Sequence, residues 1–509
     1  MPIMVCMAFA LAFSVCAALY SARYYQILQL GSYNGKKLLS FCLNRGFNTL
    51  IAGIIIVASA FVSEIFGIKS LIFCPVIALF GYFVLYRVPC TVKMKLTKRM
   101  WRLISAVTAL NFVISTALVY FGLPAAAYIL LPLAPVVVSL MNAVMMPVEK
   151  AVSDSYIKKA KQKLAAINPI KIAITGSYGK TTAKNILAAM LAKKYRVCVS
   201  PLSYNTPAGL SVAINNNLMA CDRIFIAEMG ARRRGDIEFL AKMVKPDIAV
   251  ITAVGTQHLE TFGSRENVML AKRELIDNMP DSGKAFFNGD NELVKVMYGG
   301  FRGNKTLCGK LGSVRWENAV FSPGETKFDL IANGEKISVT TALAGAHIPS
   351  MICLCAAVSL SLKVPLYDIK SAISSLQPVA HRLQMLYNGS DVIIDDSFSS
   401  NEEGFKSAVG VLGQFNYLIK VIITPGVVEL GSAQYAINYE LGAVAGKVCD
   451  YLIAVGANAD ALVKGAIEAG LPKRSAVMVK SRAEAMERYT KIKGGKAVLF
   501  ENDLPDNYG

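Results

Sequence analysis

The stretch Lys171-Ile-Ala-Ile-Thr-Gly-Ser-Tyr-Gly-Lys-Thr-Thr182 decides the fold. A short apolar strand runs into a glycine turn, and Lys180, Thr181 and Thr182 open a helix. Such a turn aims backbone N–H groups and a helix N-terminus at a phosphate chain. Gly176, Ser177, Tyr178 and Gly179 form the cradle, Lys180 reaches the β- and γ-phosphates as a point charge, and the Thr181 hydroxyl is placed to hold Mg²⁺. The common P-loop has a glycine at the position of Ile174, whereas this turn is the shorter G-x-x-G-K-T-T. A plain glycine turn is the competing reading, and the strand before it and the helix after it weigh against that.

From about Asn168 onward strand and helix patterns alternate, as in a parallel sheet covered on both faces. Strands are expected at Lys171–Thr175, Arg196–Ser200, Arg223–Ala227, Ile248–Ala253 and Lys284–Phe287, with helices at Thr181–Lys194 and Arg265–Asn278. Loops at the strand C-terminal ends then form the site. Glu228 closes the run Ile224-Phe-Ile-Ala-Glu-Met-Gly230, in a position suited to Mg²⁺. His258 follows the next strand, and Lys272 lies on the helix beyond it. Taken singly, these read more readily as a turn carboxylate, a loop histidine and a solvated helix lysine. Their order after this loop argues otherwise. Asn205, in Tyr204-Asn-Thr-Pro207, orients phosphate or substrate, or simply forms a turn.

At this point the chain resembles the Mur ligase family, ATP-dependent amide ligases of peptidoglycan precursor assembly. Thr175–Thr182 resembles the family's T-G-T-N-G-K-T-T loop, Glu228-Met-Gly230 its E-x-G segment, and Gly255 to Glu274 its G-T-x-H-L-E…A-K-x-E block. Pro378-Val-Ala-His-Arg382 resembles the H-R linker, whose arginine contacts the γ-phosphate. Val392–Asn401, which contains Asp396, and Val428-Glu-Leu-Gly431 resemble segments of the members that add D-alanyl-D-alanine. The resemblance implies that Lys272 is carbamylated and, with His258, binds a second Mg²⁺; a carbamate supplies the oxygen ligand that Mg²⁺ prefers. It implies catalytic roles for Lys180, His258, Lys272 and Arg382, and nucleotide contacts from Asn205 and Asp396. Departures accompany it. The family's H-N-x-x-N near the adenine reads His347-Ile-Pro-Ser-Met351, Phe398 stands for tyrosine, serines occupy 399 and 400, and Glu402 replaces proline. The uridine-binding N-terminal domain is replaced by apolar sequence.

That apolar sequence holds five candidate spans: Ile3–Tyr20, Leu50–Phe66, Leu71–Tyr86, Leu103–Phe121 and Ala125–Met145. Basic residues cluster after the first (Arg23, Lys36, Lys37, Arg45), the third (Arg87 to Arg102) and the fifth (Lys150, Lys158, Lys159, Lys161), with little beyond Lys69 in the other loops. The positive-inside rule then puts the N-terminus outside and everything after Met145 in the cytoplasm, as a multi-pass cell-membrane protein. Glu64 is the only acidic residue before Glu149, which favours anchoring or lipid-substrate docking over ion translocation.

The 509 residues allow about three domains, expected at 1–150 (membrane), 151–378 (central P-loop domain with a parallel sheet) and 379–509 (smaller Rossmann-like domain). Strands are expected in the last at Val392–Asp395, Ile419–Ile423, Tyr451–Val455, Ala476–Val479 and Ala497–Phe500, and a β insertion at Cys308–Leu343. The fold class is thus an α-helical membrane region followed by α/β. A 54% hydrophobic content fits a membrane portion joined to a globular one. The net charge of +19 is explained by span-flanking bases and an anionic nucleotide site, since no aromatic-interleaved basic stripe points to nucleic acid. Eleven cysteines without a C-x-x-C pair read as buried small hydrophobes. The reading that follows is a ligase using ATP and two Mg²⁺ ions to activate a carboxylate of a small-molecule or lipid-linked cell-wall precursor for an amino-acid or dipeptide amine, D-alanyl-D-alanine first. The rivals are ligation of another carboxylate and amine, a P-loop ATPase of a membrane transporter, and a catalytically dead regulator.

Overall fold

The computed structural model describes residues 3–45, 54–62, 94–201, 204–398 and 401–502. They form two compact units, Met1–Asp154 and Ser155–Leu504.

The first unit is helical. Helices span Ile3–Tyr20, Ala22–Leu30, Gly35–Arg45, 54–62 and Lys98–Tyr120, and Ala134–Ile167 begins within it. Among the described residues Lys98–Tyr120 and Ala134–Ile167 are long and apolar enough to cross a membrane; Cys6–Tyr20 with Ala22–Leu30, bent by 41°, makes a third if the pair acts as one span. The expected span Leu71–Tyr86 and both ends of Leu50–Phe66, with Glu64, lie outside the described residues. The expected span Ala125–Met145 is corrected: Pro124–Leu130 is a 3₁₀ turn, and one 34-residue helix runs from Ala134 to Ile167 through Pro147. Gly122, with φ +78°, and Pro124 break the backbone before it. The onset of charge at Glu149 ends the apolar run but stops no helix.

Thr97 caps helix Lys98–Tyr120, its hydroxyl accepting from the Met100 N–H at 3.2 Å. The helix buries Met100, Leu103, Val107, Asn111, Ser115 and Val119, one stripe at three- and four-residue spacing. Phe9, Phe13 and Tyr128 fill this core, Phe13 meeting the tyrosine edge-on at 5.5 Å. The opposite faces stay apolar, with Met4, Leu11, Val113 and Leu140 exposed. Arg102 donates from Nε and Nη2 to both oxygens of Glu149 at 2.7 and 2.6 Å.

The second unit is α/β. Strands β1 (Ile170–Thr175), β2 (Val197–Val199), β3 (Ile224–Met229), β4 (Ile248–Ile251), β5 (Lys284–Asn288) and β6 (Asn304–Cys308) form a parallel sheet in the order β2-β3-β1-β4-β5-β6. Side chains alternate across it. Ile172, Ile174, Ile224, Ile226, Ile248 and Val250 pack on one face against helices Lys180–Leu191 and Ile348–Ser361. Ala173, Phe225, Ala227, Ala249 and Ile251 pack on the other, against helices Pro207–Asn217, Asp236–Val244 and Arg265–Asp277. Both faces being covered, the central strands carry apolar side chains on both faces over their middles.

The chain winds from β1 to β2 and β3 on one side and then to β4 on the other, which opens a crevice at the strand C-terminal ends. The β insertion is a three-stranded antiparallel sheet, β7 (Arg315–Ser322), β8 (Glu325–Ala332) and β9 (Glu335–Thr341). A second six-stranded sheet has the order β10-β11-β15-β12-β13-β14, from β10 (Gln384–Asn388), β11 (Asp391–Asp396), β12 (Ile419–Thr424), β13 (Tyr451–Val455), β14 (Ala476–Val479) and β15 (Lys496–Glu501). It is parallel except for the edge strand β10, which pairs antiparallel with β11.

Candidate active site

The glycine turn leaves β1 at the crevice, and its close packing explains its sequence. A Cβ on Gly176 would lie 2.0 Å from Thr252 Oγ1. Gly179 sits at φ +77° as the residue before helix Lys180–Leu191. The Ser177 N–H donates to the Ala253 carbonyl at 2.7 Å, and its hydroxyl accepts from the Gly255 N–H at 3.0 Å. The turn is thus pinned to the segment after β4. Tyr178 lies over Gly255, where a Cβ would stand 3.2 Å from the ring, and its hydroxyl accepts from Asn291 at 3.3 Å.

Strand parity brings the charged groups together. Glu228 shares the face of Ile224 and Ile226, the face that carries the helix opened by Lys180. Thr181 and Lys184, three residues apart on that helix, both reach it. The Thr181 hydroxyl donates to Glu228 Oε2 at 2.9 Å, Lys184 Nζ stands 3.2 Å from the same oxygen, and Asn205 Nδ2 donates to Oε1 at 3.2 Å. Lys180 folds back onto its own turn, donating to the carbonyls of Gly176 at 2.7 Å and Ser177 at 3.2 Å. Burial pulls its pKa down to about 8, Glu228 opposing and Arg382 adding to the fall.

Arg382 arrives from the segment before β10. Its Nη2 donates to Thr181 Oγ1 at 3.4 Å, and its guanidinium lies 4.5 Å from the Phe398 ring centroid. Asp396, at the end of β11, accepts from the Leu383 N–H at 3.1 Å, and burial pushes its pKa up to about 6. Ser399 and Ser400 lie outside the described residues.

A cavity of about 920 Å³ opens beside these groups, lined by Tyr178, Gly179, Thr182, Arg382 and Asp396 at one end and Trp316 at the other. The changed adenine-side motif falls on it. Met351 packs its methyl where a Cβ on Gly179 would stand, and half-buried His347 meets Ser407 Oγ at 3.2 Å. Burial lowers the His347 pKa to about 4, so the ring is neutral at neutral pH. Asp290 accepts from Trp316 Nε1 at 2.8 Å and from the Ser350 hydroxyl.

His258 and Lys272 stand differently. His258, at φ +59°, precedes the turn Leu259–Phe262 and pairs through Nδ1 with Glu429. The Glu429 carbonyl accepts from the Glu260 N–H at 2.9 Å, so the Val428–Gly431 segment docks on this loop. Lys272 is 3% exposed on helix Arg265–Asp277, its ammonium 6.0 Å from the Phe262 ring centroid. Among the described residues no hydrogen bond or ion pair joins it to His258. Burial, with Lys180 adding repulsion, brings its pKa down to about 7.

The structure therefore gathers Lys180, Thr181, Asn205, Glu228 and Arg382, and sets His258 and Lys272 in the adjoining loop and helix. Lys184 and Glu429 were not singled out from sequence. Lys184 was findable: counting by two from Ile224 and by three from Thr181 brings it to Glu228. Glu429 lies in the Val428–Gly431 segment noted in the sequence, but nothing local tied it to His258, 171 residues away.

Residues 174–359 match the model of the Mur ligase middle domain. The chain is 31% identical over 252 residues to the UDP-N-acetylmuramoyl-tripeptide–D-alanyl-D-alanine ligase of Mycobacterium bovis, covering 47% of this chain and 48% of that one. It is 27% identical over 288 residues to the same-named ligase of Bacillus subtilis, covering 56% and 62%. It thus spans about half to under two thirds of the length of these relatives. The structure is similar to MurF ligase from Thermotoga maritima in complex with ADP, with a TM-score of 0.60 and 28% identity over 69% of this chain and 80% of that one. MurF from Acinetobacter baumannii shares the fold at a TM-score of 0.64 and 24% identity, over 69% and 77%. The P-loop portion of this chain, residues 174–359, is thus similar to a Mur ligase middle domain.

Proposed function

We propose that this chain is an ATP-dependent ligase that forms an amide through an acyl phosphate, and that it adds D-alanyl-D-alanine to a muramyl-peptide precursor. The observation that carries the reading is the meeting of three separate segments at Thr181, whose hydroxyl lies 2.9 Å from Glu228 and 3.4 Å from Arg382. The relatives' names and the ADP complex of the Thermotoga maritima ligase support it.

In the proposed reaction a carboxylate oxygen attacks the γ-phosphorus and ADP leaves. The amine then attacks the acyl carbon, inorganic phosphate leaves, and one proton is released. Turn amides, Lys180 and Arg382 hold the transferring phosphoryl group, Asn205 orients it, and Asp396 lines the nucleotide cavity. Thr181 and Glu228 offer the hard oxygens that suit Mg²⁺, and His258 with a carbamylated Lys272 would hold a second ion. Bound magnesium would spread charge on the phosphoryl oxygens. The low pKa of Lys272 supports carbamylation: its neutral amine attacks CO₂, a C–N bond forms and one proton departs.

A lipid-linked precursor is the second reading, favoured by the two helices long and apolar enough to span a bilayer. On it the first 150 residues anchor the chain, N-terminus outside, with the two catalytic domains, 151–378 and 379–509, on the cytoplasmic side. Detergent-solubilised protein given ATP, UDP-muramyl-tripeptide and D-alanyl-D-alanine is expected to release phosphate and form the pentapeptide. Turnover with a lipid-linked acceptor alone would replace the first substrate, and turnover with neither would remove the ligase assignment.

A further inference from the structure

Glu228 is held by more than the P-loop. Lys184, 2% exposed, lies 3.2 Å from Glu228 Oε2 and donates to the Ser200 carbonyl at 2.8 Å. Ser200 also fixes the strand, its hydroxyl accepting from the Glu228 N–H at 3.2 Å. With Thr181 on Oε2 and Asn205 on Oε1, donors surround the carboxylate and a cation already sits against it. Among the described residues no group of three or more His, Cys, Asp or Glu side chains is arranged to hold a metal ion. Two opposite charges 3.2 Å apart and both buried attract more strongly than in water, so the lysine lowers the appetite of this carboxylate for a second cation.

We infer that Lys184 is a positioning residue that balances the charge of Glu228 and keeps the site from taking a divalent ion until a nucleotide brings phosphate oxygens to it. Metal and nucleotide then enter together, and the nucleotide-free protein does not hold a metal ion in the place the phosphates need. This rests on the ligase reading for the role of Glu228, but its test needs no turnover.

The test titrates Mn²⁺ into the nucleotide-free, detergent-solubilised full chain and follows free Mn²⁺ by electron paramagnetic resonance. Wild type is expected to bind weakly, and Lys184→Met at least about tenfold more tightly. Lys184→Arg keeps the charge and is expected to return to weak binding. Lys184→Met should also gain melting temperature on adding Mn²⁺, by more than wild type does. A Met variant that folds and binds Mn²⁺ no more tightly overturns the inference, as does one that stays unfolded at every Mn²⁺ concentration. Failure here leaves the ligase reading intact, whereas an inactive wild type with the expected Mn²⁺ shift removes only the ligase reading.

Discussion

Lys272→Ala is expected to lose about 10³-fold or more of its turnover, and a short carboxylate such as formate or acetate is expected to restore part of it. On the proposed carbamate, the size follows from losing an oxygen ligand to a magnesium ion that would contribute several kcal/mol at the reacting carboxylate. Partial rescue then follows because the lost group would be a carboxylate equivalent and the truncated side chain leaves room for one. Among the described residues no hydrogen bond or ion pair holds the Lys272 amine, burying an amine in that way destabilises a protein, and a chain selected only for folding would place an apolar residue here. Lys272→Met should therefore raise the melting temperature while abolishing turnover. A drop in melting temperature would mark the lysine as structural, and full activity in either variant would end the carbamate role.

The pH dependence has a definite sign. In the folded chain the Lys272 pKa falls from its ordinary 10.5 to about 7. Only the neutral amine attacks CO₂, so activity at low bicarbonate should fall as pH drops through about 7 and recover with added bicarbonate. For the unmodified chain, the unfolded state binds the extra proton between about 7 and 10.5. Stability should rise with pH across that window and lack this contribution to the slope below it. Lys272→Met should flatten that rise, which denaturant unfolding at pH 7 and pH 10 would measure.

The strand cores were legible because both faces of the parallel sheets are covered, so Ile172–Ile174 and Ile224–Ala227 appear as short apolar runs. The loops at their C-terminal ends followed from the winding rule. Glu228 and Thr181 were named on motif grounds, but their 2.9 Å contact follows from strand parity, which also brings in Lys184. The first unit was less legible. Apolar content identifies Ala125–Met145 as hydrophobic but says nothing about where the backbone turns, and Gly122 and Pro124 moved the helix start to Ala134. Contacts between distant segments were legible only through the family resemblance, which puts Arg382 at the γ-phosphate, and not from any local pattern. The pairing of His258 with Glu429 and of Arg382 with Thr181 depends on how the second sheet closes against the first, and no local pattern encodes that.

Arg382 is where that closure becomes chemistry. It belongs to the segment leading into β10, yet its guanidinium reaches the P-loop threonine while stacking on Phe398. A delocalised planar cation held on two sides has little freedom left to lose when charge develops on a phosphoryl group. Arg382→Ala is therefore expected to lower kcat by about 10²–10³-fold, while ADP affinity, which rests on the turn amides and the cavity, changes much less. Arg382→Lys should recover only part of the loss, because an ammonium can neither stack on Phe398 in the same way nor bridge two oxygens. Phe398→Ala tests the same point from the other side: it removes no charge, so any loss it causes reports positioning alone. Equal losses in kcat and ADP affinity for Arg382→Ala would place the arginine in nucleotide binding, and the closing of the second sheet would then serve to capture ATP rather than to stabilise its reaction.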